Sequence, residues 1–260
     1  MNILIITDLE GISGVDDIAQ MNGDGYAYAC TRLMADVNAA IRGAFDSGAK
    51  NVYVVDGHGG GKNFIEGLLD KRAQVITVHD RLELLRSGDI NAGMLVGYHA
   101  MAGTINGFLD HTQSSASWFD YQINGRKCGE IAQCALFYGH FGVPIVTVTG
   151  DEAACVEARA FLGDIAIAPV KQGLCRNKAR LYDLKESEQK IYLAAIEGIN
   201  KRQDIRPFKM QFPLNIQLTF TRTDYCENAY SNMRDRVDRI DARTLCRTVD
   251  KIEKFTDILF

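Results

Sequence analysis

Short aliphatic runs recur along the first 150 residues: NILII (2–6), NVYVV (51–55), QVITV (74–78), GMLVG (93–97) and PIVTV (144–148). Continuous apolar runs of this length predict strands buried on both faces. Between the first two lies YAYACTRLMADVNAAIRGAFDSGAK, whose apolar residues fall at helical spacing and which Gly48 closes. A second helix is predicted from about Lys127 to Phe141, just before the PIVTV strand. Strand, helix, strand in this order implies a three-layer αβα arrangement around a mainly parallel or mixed sheet. WFDYQINGRK adds a tight-turn signal, Asn124-Gly125, after an alternating run.

The pattern changes in the second half. TGDEAACVEARAFL reads as a helix, IAIAPV (165–170) as a short strand, and about Ser187 to Lys201 as a long polar helix. RQDIRPFKMQFP holds two of the four prolines and reads as a linker. It is followed by an alternating strand, LNIQLTF (214–220), a helix near 225–233, and a last helix from about Ala242 to Ile258. These elements predict a metal-binding α/β domain over 1–150. A smaller α/β lobe over 151–260 would complete the substrate pocket and supply oligomer contacts.

Composition narrows the partners. Net charge is −4 and hydrophobic residues make up 47% of the chain, so neither a basic footprint for nucleic acid nor a membrane-spanning run is expected. A strand that starts almost at Met1 and carries Asp8 is unlike a secretory leader, and a cytoplasmic location is expected. Seven scattered cysteines, none in a C-x-x-C pair, are expected to serve as small apolar core residues.

Chemistry gathers where the predicted strands end. The first strand runs into TDLEG, with Asp8 and Glu10 on one face; the second into VVDGHGGG, with Asp56 and His58; the fourth into LVGYHAMAG, with His99. Two like charges at the edge of a core repel and resist desolvation unless something compensates them. In open α/β sheets the carboxyl ends of strands share one edge, so Asp8, Glu10, His58 and His99 converge there as a set suited to zinc or a similar divalent ion. FLDHTQSS places His111 in a polar loop, and NGRKCGEIAQ places Glu130 in a first helical turn, where its carboxylate also suits the dipole. His140 and His79 are assigned to structure and Lys171 of VKQ to solvent, while Asp56, before Gly57, could simply turn the chain.

Taken in order, TDLEGISG, DGHGGGKN, GYHAMAG, DHT and NGRKCGEIA resemble the zinc D-aminopeptidases of the DppA type, from residue 1 to about 151 and more weakly through APVKQG. The resemblance implies a dinuclear zinc centre held by Asp8, Glu10, His58, His99 and Glu130, with Asp8 bridging the ions and His111 in the catalytic position. It also implies an α/β fold in two lobes and cytoplasmic homo-oligomers in rings, such as decamers, acting on short peptides. Carboxylate and imidazole ligands would accept Mn2+ or Co2+ as well as Zn2+.

A metal pair of this kind would neutralise Asp8 and Glu10 and activate water for hydrolysis of the N-terminal peptide bond. Three rival readings stand beside it. A dinuclear phosphoesterase or other amidohydrolase could use the same ligands, GHGGGKN could cradle a phosphate, and the cluster could be a metal-stabilised scaffold without turnover.

Overall fold

The computed structural model describes residues 1–260. The chain forms β1 (Asn2–Thr7), α1 (Gly23–Asp46), β2 (Asn51–Asp56), β3 (Gln74–Val75), α2 (Val78–Ser87) and β4 (Ala92–Tyr98). A hairpin of β5 (Trp118–Ile123) and β6 (Arg126–Lys127) precedes α3 (Glu130–His140), β7 (Ile145–Asp151) and α4 (Glu152–Leu162). Then come β8 (Ala166–Cys175), β9 (Lys178–Leu181), α5 (Leu184–Asn200), β10 (Leu214–Phe220), α6 (Thr223–Met233), β11 (Asp238–Arg239) and β12 (Thr244–Val249).

Seven strands make the central sheet in the order β3-β2-β1-β4-β7-β8-β9, parallel throughout except for β9. Alternation along β1 explains the layers. Ile3 and Ile5 face a core built with Leu33, Val37 and Ile41 of α1 and Ile191 and Ile199 of α5. Leu4 and Ile6 face the opposite core, where Leu85 of α2, Ile131 and Leu136 of α3 and Ala158 of α4 pack. The expected αβα sandwich with a mixed sheet is what forms.

A second, antiparallel sheet, ordered β11-β12-β10-β5-β6, shares that outer core through Tyr121, Ile123, Ile216, Leu218 and Leu245. Sheet membership therefore cuts across residue 150. The β5–β6 hairpin of the first half pairs with β10, while β8 and β9 extend the first sheet.

Three expected elements are corrected. QVITV yields only the two-residue β3, because Thr77 caps a helix that begins at Val78 and Asp80 completes its capping box. The helix expected from Lys127 begins at Glu130, since Arg126–Lys127 closes the hairpin behind Asn124 and Gly125, both with positive φ. The last expected helix, Ala242 to Ile258, is instead β12 followed by a single 3-10 turn at Phe255–Ile258. There the alternating TLCRTV pairs with β10 along its whole length. No helix is long and apolar enough to cross a membrane.

Candidate metal centre

Strands β2, β1 and β4 lie side by side and parallel, so their carboxyl ends open onto one crevice. The chain leaves β1 to β2 on one side and returns to β4 on the other, so this is the switch point where open α/β sheets bind ligands. Asp8 and Glu10 follow β1, His58 follows β2 and His99 follows β4. Glycines let these ends approach. Gly97, with φ +79°, has room only for hydrogen where a Cβ would stand 2.4 Å from the Asp8 carbonyl oxygen.

All six residues singled out in the sequence come together. Asp8, Glu10 and His58 form one trio of ligand atoms within 4.8 Å of one another; His99, His111 and Glu130 form a second. Asp8 stands between them. Its Oδ1 lies 3.0 Å from His58 Nδ1, and its Oδ2 lies 3.4 Å from His99 Nε2. His58 Nδ1 is also 3.0 Å from Glu10 Oε2, and His99 Nε2 is 3.4 Å from Glu130 Oε1. His111 stacks on His99 with ring centroids 3.9 Å apart and an interplanar angle of 13°.

The electrostatics are those of an over-charged pocket. Burial, then the neighbouring Glu10 carboxylate, pushes Asp8 up to about 7. For His58, burial works against the charge, yet hydrogen bonds to Asp8 and Glu10 outweigh it and hold the imidazole up at about 11. His99 is likewise raised, Glu130 overcoming its burial. His111 is lowered by burial and by the charge on His99. Asp8 Oδ2, Glu10 Oε2 and His99 Nε2 are all buried without an aligned hydrogen-bond partner. Buried oxygen and imidazole atoms left unpaired around one point are the donor set a divalent cation satisfies. The residues fit the ion.

Backbone contacts orient three of the six groups. Ala100 O lies 2.9 Å from His99 Nδ1, which leaves Nε2 for the centre. Leu109 O does the same for His111 at 2.8 Å, and Leu109 is held at φ +51°. Gln113 N–H donates to Glu130 Oε1 at 2.7 Å.

Sequence reasoning missed four supporting groups. Asn63 is buried and donates to both oxygens of Asp56 and to the His58 carbonyl oxygen at 2.6–2.9 Å, clasping the loop that carries His58. Asp56 thus serves the turn, as expected, and the turn serves the site. Asp151, at the end of β7, accepts from Phe108 N–H at 3.0 Å and steadies the segment leading to His111.

Lys171 corrects the expectation of a solvated side chain: it is fully buried and donates to the carbonyl oxygens of Glu10 and Val15 at 2.6 and 2.7 Å. Strict alternation along β8 would face it away from Val170. A register shift against Gly150 and Asp151 turns both residues inward. Arg176, from the β8–β9 turn, lines the cleft beside Glu10, His58 and His111. Its only signal lay in a fold that pairs β8 with β7.

Other expectations divide similarly. His79 and His140 are exposed and outside the cluster. Five cysteines are buried, whereas Cys175 is exposed and Cys246 partly so; all seven are free. No helix follows Gly59–Gly61, so the glycine-rich turn lacks the helix N-terminus of a phosphate cradle.

The profile of the D-aminopeptidase family, peptidase family M55, matches residues 1–259. This chain belongs to the D-aminopeptidase family. Within that family, a D-aminopeptidase of Bacillus subtilis (strain 168) is 30% identical over 212 residues, covering 80% of this chain and 77% of the relative. A solved structure, described as the Zn-dependent D-aminopeptidase DppA from Bacillus subtilis, a self-compartmentalizing protease, shares the fold. It superposes with a TM-score of 0.91 at 22% identity, over all of this chain and 96% of that one. As a family member the chain is a hydrolase of the metallo-aminopeptidase kind. The family match favours peptide hydrolysis over the rival readings, a phosphoesterase or a scaffold without turnover.

Proposed function

We propose that this D-aminopeptidase family member is a zinc enzyme that releases the N-terminal residue of short peptides containing D-amino acids. One observation carries the reading: Asp8 turns one carboxylate oxygen toward His58 and the other toward His99, which is the posture of a ligand shared by two ions. Asp8, Glu10 and His58 would hold one zinc; Asp8, His99 and Glu130 would hold the other. Manganese or cobalt suits the same donors. Zinc bound there supplies Lewis-acid polarisation of the scissile carbonyl and of the attacking water.

His111 is the proton carrier in this reading. Its Nδ1–H donates to Leu109 O, so the lone pair of the neutral ring lies on Nε2, 3.7 Å from Glu130 Oε1. Burial and the His99 charge depress its pKa and keep it unprotonated near neutrality, as a general base requires. Nε2 then accepts a proton as water attacks and returns it to the departing amine. The cleft in front of these groups encloses about 190 Å3, below the ~300 Å3 at which sites for drug-sized ligands begin, which suits a short peptide rather than a folded protein. We also infer homo-oligomeric assembly, supported by the self-compartmentalizing relative, and a cytoplasmic location, which the seven free thiols favour.

The test is elemental analysis of protein purified without chelator, followed by turnover of D- and L-aminoacyl peptides. About two zinc ions per chain, activity lost to chelator and restored by zinc, and a D preference are expected. Protein that takes up no zinc, manganese or cobalt would overturn the reading.

A further inference from the structure

Two unlike sets of groups line the cleft: Glu10, His58 and His111, and beside them Ile18, Met21, Leu109 and Arg176. Arg176 is the one arginine or lysine on the lining. Its backbone is anchored, since Leu109 N–H donates to the Arg176 carbonyl oxygen at 2.7 Å. The same Leu109 orients His111 through its own carbonyl. One residue therefore ties the His111 ring to the Arg176 backbone.

The guanidinium is partly exposed and keeps most of its donors free. Nη1 donates to Asn177 Oδ1 at 3.1 Å. Nε stands 3.8 Å from Asp110 Oδ1, an ion-pair distance too long for a direct hydrogen bond. Asp110 is itself occupied by Gly103 N–H at 2.6 Å. A guanidinium has five N–H donors in a planar fork matched to a carboxylate, and only one is used here. A cation with free donors, lining the same small cleft as the hydrolytic groups, matches the C-terminal charge of a dipeptide.

We propose that Arg176 binds the C-terminal carboxylate of the substrate, so that the enzyme selects free-acid dipeptides and similarly short peptides. The inference rests on the aminopeptidase reading above and adds its ruler. The N-terminal residue meets the metal ligands, the apolar wall of Ile18, Met21 and Leu109 takes the side chains, and the guanidinium fixes where the peptide must end.

The experiment compares D-alanylglycine with its C-terminal amide on the zinc-loaded enzyme, for the wild type, Arg176→Gln and Arg176→Lys. Loss of one charge-assisted pair corresponds to about tenfold to a hundredfold. The wild type should prefer the acid by that factor in kcat/KM, mainly through KM. Arg176→Gln should abolish the preference, bringing kcat/KM for the acid down to that for the amide, with the zinc content unchanged. Arg176→Lys should recover part of it, as a point charge without the fork. Calorimetric binding of a non-hydrolysable reduced-amide dipeptide, as acid and as amide, should show the same ratio without turnover.

An acid preference that survives Arg176→Gln, or none in the wild type, would overturn the assignment. Failure to hydrolyse either compound at any zinc concentration would overturn the aminopeptidase reading, and this inference with it.

Discussion

Replacing Asp8 by Asn separates a metal centre from a structural ion-pair cluster. Without metal, the pocket sets three carboxylates (Asp8, Glu10, Glu130) against two imidazoles held protonated, His58 and His99, while His111 is pushed toward neutrality. Asp8 is the surplus charge, pushed up from 3.8 to about 7 by burial and by Glu10. Its pKa is higher folded than unfolded, so between about pH 4 and 7 the folded state binds the extra proton and stability falls as pH rises. At pH 8 the full penalty applies, of order 4 kcal/mol for a rise from 3.8 to about 7 at about 1.4 kcal/mol per unit. Asn keeps the oxygen that accepts from Leu9 N–H at 2.9 Å and removes the charge. In urea unfolding at pH 8 after chelation, Asp8→Asn should therefore be as stable as the wild type or more so. With zinc at about 100 times its Kd, the wild type should gain about 2.7 kcal/mol and the variant little. A chelated variant that loses about 3–5 kcal/mol, as a broken buried ion pair would, refutes the reasoning.

Other outcomes follow from the same contacts. His111→Ala should lower kcat by about 10²–10⁴-fold with zinc content unchanged, and stoichiometry beside steady-state kinetics checks both halves. Lys171→Met strands two buried carbonyl oxygens, those of Glu10 and Val15, and should cost about 3 kcal/mol in denaturant unfolding and weaken zinc binding; an unchanged zinc Kd would detach Lys171 from the site. Zinc must displace the protons held on His58 and His99, so affinity should fall as pH drops. Titration calorimetry in two buffers of different ionisation enthalpy should count about two protons released, and none released would contradict the assignment.

What the sequence revealed tracks what local pattern can encode. Aliphatic runs located the central strands, and their polar ends located Asp8, Glu10, His58 and His99, because parallel topology sends those ends to one edge; Glu130, in the first turn of α3, needed the family resemblance. The C-terminal segment misled because Thr244–Val249 takes its partner from β10, a tertiary choice with no local trace. Lys171 was read as solvated because a bulge, invisible in the residue pattern, reverses its side of the strand. Arg176 was unreadable as a site residue, since its proximity to His111 depends on β8 docking beside β7. Asn63 had a local signal: Asp56 seven residues earlier, across a run of glycines, marks a loop that needs closing.

The lysine clasp also imposes an order on biosynthesis. The ligands span residues 8–130, but the ammonium that fixes the Asp8–Glu10 turn arrives only with residue 171. A nascent chain halted before β8 leaves the ribosome carrying carboxylates and imidazoles without the framework that spaces them. Domains generally fold as units during synthesis. The turn that carries Glu10 is therefore completed late, when β8 docks against β7 and brings Lys171 to the Glu10 and Val15 carbonyl oxygens.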